Sequence, residues 1–136
     1  MAGEVRPPTV RQEKQVRRAV DAAEKQTGLQ ICVYLGPAAE DARADAERMF
    51  VEAGLHTRPA VLVLVAPQVR RVEIVTAPEA RERVSDEAAH EAVELMTKRF
   101  ADGDLVRGLI AGVEHIAAAA GPGQESGEEL PDLLQG

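Results

Sequence analysis

The chain has 136 residues, room for one domain, and is 45% apolar and 29% charged, an ordinary composition for a soluble globular protein. Its net charge of −7, with one Tyr, two Phe and no Trp, argues against nucleic acid and anionic membrane as partners, because those surfaces select basic patches and, for nucleic acid, aromatic stacking platforms. Cys32 is the one cysteine, which excludes an intrachain disulfide and a multi-cysteine metal site; inside an apolar strand pattern it reads as a small core hydrophobe.

Residues 1–8, M-A-G-E-V-R-P-P, read as a flexible leader. They contain no apolar signal region, and no apolar run in the chain reaches the ~18 residues of a spanning helix, so the expected compartment is the cytoplasm. Thr9 followed by Gln12 forms a capping-box pattern. Val16, Ala19, Val20 and Ala23 then make a narrow apolar stripe on a charged helix that Gly28 ends.

Leu29 to Leu35 predicts the first strand, with Leu29, Ile31, Val33 and Leu35 on one face and Gln30, Cys32 and Tyr34 on the other. Gly36-Pro37 breaks it. Glu40 to Ala53 predicts an amphipathic helix that buries Ala42, Ala46, Met49, Phe50 and Ala53 and exposes Arg43, Asp45, Glu47, Arg48 and Glu52. With the strand that follows, this makes a right-handed β-α-β unit.

Ala60 to Ala77 predicts a hairpin. Val61 to Val65 is continuously apolar, as expected of a strand covered on both faces. Pro67 interrupts it, and the stretch around Arg71 to Thr76 alternates with period two, as in a half-covered strand. Pro78 to Val84 has room for one helical turn. Ser85 caps a third long helix, with Asp86 and Glu87 in its first turn and Ala89, Ala92, Val93, Met96 and Phe100 as its buried stripe. Ala101-Asp102-Gly103 is a tight connection, and Asp104 is positioned to cap a last helix, Leu105 to Ala120.

That last helix is apolar nearly all round, which predicts burial between layers; its second stripe is the alternative meeting place for a partner. Gly108 and Gly112, one turn apart, predict close approach of another backbone. The segment 121–136 is rich in Gly, Pro and acid and reads as a disordered tail. Its four acids carry more than half of the net charge of −7, and Leu130, Leu133 and Leu134 could dock on a partner protein. The fold class is therefore α/β: a three-layer α/β/α sandwich around a small mixed sheet, with two C-terminal helices. The chain is expected to be a monomer or a weak homo-oligomer.

No phosphate loop, dinucleotide fingerprint, H-E-x-x-H or G-x-S-x-G elbow is present. The topology sorts the loops into two rims. One joins Gly36–Asp41 to Pro67–Arg71, beyond the carboxyl ends of the parallel strands, and sets Arg70 and Arg71 by the second helix. The other joins Leu55–Pro59 to Thr76–Ser85 and gathers His56, Thr57, Arg58, Thr76, Glu79, Arg81 and Asp86, the richer set of polar chemistry.

The segments V-L-V-L-V-A-P-Q-V-R-R-V-E-I-V and F-A-D-G-D-L-V-R-G-L-I-A-G-V-E-H-I, with K-Q-T-G-L-Q-I-C-V-Y-L as first strand and A-E-R-M-F in the crossover helix, resemble the TPM domain over Thr9 to Ala120. That family includes photosystem II repair proteins and bacterial proteins of unknown function, and this chain looks like a cytosolic bacterial branch. The resemblance implies an α/β/α sandwich, Ca²⁺ binding in some members and an acid phosphatase activity attributed to one plant member. The family's metal would lie at the second rim, between an acidic or Asn-bearing loop before the central strand and a G-x-G turn after the hairpin.

This chain departs from that pattern. Leu55–Ala60 carries no carboxylate, Thr76–Arg81 carries no glycine, and Arg58, Arg81 and Arg83 oppose a dication. Asp86 matches the family's acid at the start of the third long helix. Three readings result. The first is a non-catalytic interaction domain without cofactor. The second is a phosphatase-like hydrolase that holds Ca²⁺ or Mg²⁺ on Asp86, Glu79 and Glu82. The third is a small-anion site at Arg58 and Arg81.

Overall fold

The computed structural model describes residues 8–38 and 41–123; the leader up to residue 7 and the tail from residue 124 lie outside the described residues. The elements run α1 (Val10–Thr27), β1 (Gln30–Leu35), α2 (Ala42–Glu52), a 3₁₀ turn (Leu55–Thr57), β2 (Ala60–Ala66), a second 3₁₀ turn (Pro67–Val69), β3 (Arg71–Thr76), α3 (Pro78–Arg81), α4 (Asp86–Ala101) and α5 (Leu105–Ala120).

The sheet has the order β1-β2-β3, with β1 parallel to β2 and β3 antiparallel to it. The β-α-β unit and the hairpin read from the sequence are both present. All seven residues of β2 are buried, and its alternation divides them between two cores. Val61, Val63 and Val65 join Ile31, Met96, Leu109, Val113 and Ile116 on the face covered by α1, α4 and α5. Ala60, Leu62, Leu64 and Ala66 join Ala42, Ala46, Phe50 and Leu55 on the face covered by α2. Layers of helix on both sides of the sheet follow from that division.

The expected capping box closes α1: Thr9 Oγ1 accepts the Gln12 N–H at 3.1 Å and Gln12 Oε1 accepts the Thr9 N–H at 2.9 Å. Gly28 ends the helix in the left-handed region, φ 78°, where glycine is free of Cβ strain. Ser85 and Asp41 cap α4 and α2 through the N–H groups of Ala88 and Ala44. Asp104 stands at the N-cap position of α5, but its side chain accepts no capping hydrogen bond. Its carboxylate turns instead to Arg107 Nε at 3.7 Å.

Two further expectations are corrected. Asp45, read as solvent-facing, is only 8% exposed; it flanks the buried stripe of α2 and is neutralised by Arg48 Nη1 at 2.8 Å. The glycines of α5 do admit a close neighbour, but it is the side chains of α4 rather than a backbone. A Cβ on Gly108 would stand 2.5 Å from Phe100 Cε1, and one on Gly112 would stand 2.5 Å from Met96 Cγ. With these glycines α5 seats against α4 on one side while α1 packs on its other side.

Met96 is fully buried and Phe100 only partly, so the two glycines differ in tolerance. Gly112→Ala is expected to destabilise by about 1–3 kcal/mol through overpacking. Gly108→Ala should cost less, since Phe100 can yield outward and alanine regains about 1 kcal/mol of helix propensity. Urea denaturation of the two variants gives the comparison.

Candidate functional site

Two clefts flank the sheet. The smaller, about 370 Å³, lies along β3 between α2 and α4 and contains Thr76, Arg81 and Asp86 together with Arg43, Glu73, Ile74 and His90. It brings together three of the residues expected at the second rim. His56, Thr57 and Arg58 stand apart from it, because the 3₁₀ turn that carries them precedes β2 and leans toward β1. Arg58 Nη1 donates to Gln30 Oε1 at 3.2 Å, and Thr57 Oγ1 donates to Gly54 O at 3.0 Å. Glu79 and Glu82 are exposed and do not line the cleft. Ala80, between them, is fully buried and anchors the short α3.

Most of the polar groups in this region are spent on the chain itself. Arg81 donates through Nη2 to Thr76 O at 3.3 Å and through Nε to Thr76 Oγ1 at 3.5 Å. Arg43, read as a solvent-facing residue, crosses from α2 to β3. Its Nη1 donates to Ile74 O at 2.8 Å and lies 3.6 Å from Glu73 Oε1, while its Nε holds Glu47 Oε2 at 3.0 Å. The sequence signal for this contact was slight: an acid, Glu73, in a strand that the crossover helix must cover. Arg71 also belongs to this group: its Nη2 lies 2.8 Å from Glu73 Oε2, and that carboxylate is shared with Arg43 in the first turn of α2. His90 pairs with Glu94 at 3.3 Å, the expected i,i+4 contact. His115 reaches Glu91 of α4 at 3.1 Å.

Arg83 is absent from the cleft. Its guanidinium turns to the carboxyl ends of α1 and α5 and donates to Thr27 O at 2.7 Å, Ala120 O at 3.3 Å, Gly121 O at 2.8 Å and Pro122 O at 2.9 Å. Both helix ends are negative, so one cation satisfies two dipoles. Residues 121–123, assigned to the tail from the sequence, are thereby held against the body, with the Gly123 N–H on Gln26 O at 2.8 Å.

Among the described residues, no three His, Cys, Asp or Glu side chains come together in a group that could hold a metal ion. Glu79, Glu82 and Asp86 therefore do not fit Ca²⁺ or Mg²⁺, which take six or more oxygen ligands. Cys32 is partly buried beside Gln30. Burial first, and the nearby Glu24 carboxylate second, push its thiol above the ordinary value, which disfavours the thiolate.

The larger cleft, about 730 Å³, lies at the first rim, beyond the carboxyl ends of β1 and β2. Val16 and Val20 of α1, Val33 and Leu35 of β1, and Leu105 and Leu109 of α5 give it apolar walls, with Glu13, Arg17 and Gln68 among its lining residues. Gly36, Pro37 and Pro67 come from the expected loops. Arg70 does not line it; it sits in the turn with φ 55°, the only non-glycine positive φ among the described residues. Among the described residues no helix is long and apolar enough to cross a membrane.

Helices on both faces of a three-stranded mixed sheet, with one apolar and one self-paired polar cleft, define a small α/β domain. The chain belongs to the family described as a domain of unknown function, DUF5130, whose model matches residues 3–117. It is 30% identical over 95 residues to the uncharacterised protein Rv2468c of Mycobacterium tuberculosis, across 70% of this chain and 56% of that protein. The chain thus spans little more than half the length of that relative. The NMR structure of the BA42 protein from the psychrophilic bacterium Bizionia argentinensis superposes with a TM-score of 0.77 at 25% identity, covering 86% of each chain. The N-terminal domain of a protein from P. gingivalis superposes at 0.72 with 15% identity, covering 82% of this chain and 74% of that one, and shows the shared fold alone.

Replacing Arg83 by Ala strands the carbonyls that end α1 and α5 and is expected to cost about 2–3 kcal/mol in urea unfolding. Arg83→Lys should recover only part of this, because an ammonium lacks the planar fork. Alkylation of Cys32 by iodoacetamide at pH 7 should run slower than that of free cysteine and accelerate as pH rises past the ordinary thiol range.

Proposed function

We propose that this chain is a non-catalytic interaction domain of the bacterial cytoplasm, related to TPM domains, whose second rim no longer serves a metal. One observation carries the reading: the arginines of that rim are bonded to the chain's own backbone and side chains, while the described residues leave the apolar cleft at the first rim open. Arg81 and Arg83 act on Thr76 O, Thr27 O and the carbonyls after α5, which leaves them committed to structure. A hydrolase acting on phosphomonoesters would need carboxylates or a metal converging on one point, and Glu79 and Glu82 do not line the cleft that contains Asp86.

The partner is a protein that inserts an apolar segment between α1 and the first turn of α5. A cleft of about 730 Å³ has the size and apolar lining of a binding site. The sequence expectation that the last helix meets a partner is kept only for this first turn, since Val113, Ile116 and Ala117 are buried within the chain.

A thermal-shift panel tests the reading against its alternatives. Millimolar Ca²⁺, Mg²⁺ and phosphate are expected to leave Tm unchanged, because a ligand that bound only the folded chain would raise it by mass action. A rise with metal that Asp86→Asn abolishes, together with hydrolysis of p-nitrophenyl phosphate, would instead establish the hydrolase. A rise with phosphate that Arg58→Gln or Arg81→Gln abolishes would establish the anion site.

A further inference from the structure

A three-stranded sheet has two edges, and each edge leaves every second residue with its N–H and C=O pointing away from the sheet. On β3 the ladder bond from Ala77 N–H to Ala60 O at 2.9 Å sets the phase. With the pairing Val61↔Thr76 and Val63↔Ile74, it makes Val72, Ile74 and Thr76 the outward-facing residues. Two of their carbonyls are taken by guanidinium groups, Ile74 O by Arg43 and Thr76 O by Arg81. These cations come from different elements, α2 and α3, and converge on one strand.

The other edge shows the complementary arrangement. On β1 the bonds Gln30 N–H to Pro59 O and Gly36 N–H to Val65 O turn the odd-numbered residues outward. There the Ile31 N–H is taken by Glu24 Oε2 at 2.8 Å. Cations thus cover free acceptors and an anion covers a free donor, so the pattern follows the sense of the backbone group and not merely the surface charge.

We infer that Arg43 and Arg81 hold the β3 edge closed against strand addition by a second copy of this chain. An antiparallel neighbour needs the carbonyls of Ile74 and Thr76, and the guanidiniums occupy them. The flanks carry both signs, Arg43 and Arg81 with Glu73 and Asp86, so a two-fold pairing sets the cations of one copy against the anions of the other. The 370 Å³ cleft between α2 and α4 opens onto this edge and gives the incoming strand access once the guanidiniums are gone.

The test compares the full-length chain with Arg43→Ala/Arg81→Ala by sedimentation velocity across a concentration series, followed by hydrogen exchange read at Ile74 and Thr76. The wild-type chain is expected to sediment as a monomer. The double variant should dimerise with an association constant raised by about tenfold or more, and its Ile74 and Thr76 amides should gain protection as the dimer forms. A folded double variant that stays monomeric with unchanged exchange overturns the inference. So does a wild-type dimer that already protects those two amides. Should the double variant lose its helical circular dichroism, Arg81→Gln is read by the same two measurements, with a smaller shift in the same direction.

Discussion

Everything in this fold depends on one strand having no solvent-exposed face. β2 is buried along its whole length, and a strand of that kind requires apolar cover above and below it. Val61, Val63 and Val65 call for α1, α4 and α5, while Leu62 and Leu64 call for α2. The parallel neighbour β1 follows from the crossover helix, and the antiparallel neighbour β3 follows from a turn too short to cross over. With few aromatic side chains available, tight seating takes the place of bulk, which is why α5 carries glycines where Met96 and Phe100 press against it.

Much of this was legible in the sequence because it is written in periodicity and caps. The alternation of Leu29 to Leu35, the capping box at Thr9, the cap at Ser85 and the unbroken run in β2 each correspond to a local rule. What was not legible depends on long side chains reaching between elements. Arg43 and Asp45 both fall on the polar side of a helical wheel, yet one crosses to β3 and the other is buried against Arg48. Arg83 is one of several arginines in its stretch, and only the meeting of two helix ends gives it a distinct role. Asp104 stands where a cap is expected, yet its carboxylate faces Arg107 rather than the helix N–H groups, a choice that residue type does not disclose.

The site was legible in part. Thr76, Arg81 and Asp86 do share a cleft, whereas β2 stands between them and the His56–Arg58 turn. The rim as a whole was inferred from loop order, and loop order does not say on which side of the central strand a side chain settles. The apolar cleft at the opposite rim drew less weight from the sequence because Val16, Leu35 and Leu105 are indistinguishable there from ordinary core residues. In the folded chain they line a space of about 730 Å³, and geometry alone separates the two roles.

The Arg83 contacts have a consequence for the order of events in synthesis. One guanidinium joins Thr27 at the end of the first helix to Ala120, Gly121 and Pro122 after the last. α1 packs on α5 as well as on β1, so while a nascent chain is still being extended the first helix lacks its largest packing surface. The domain closes only after some 120 residues have left the ribosome. Until then the face of β2 that carries Val61, Val63 and Val65 lacks the cover of α5.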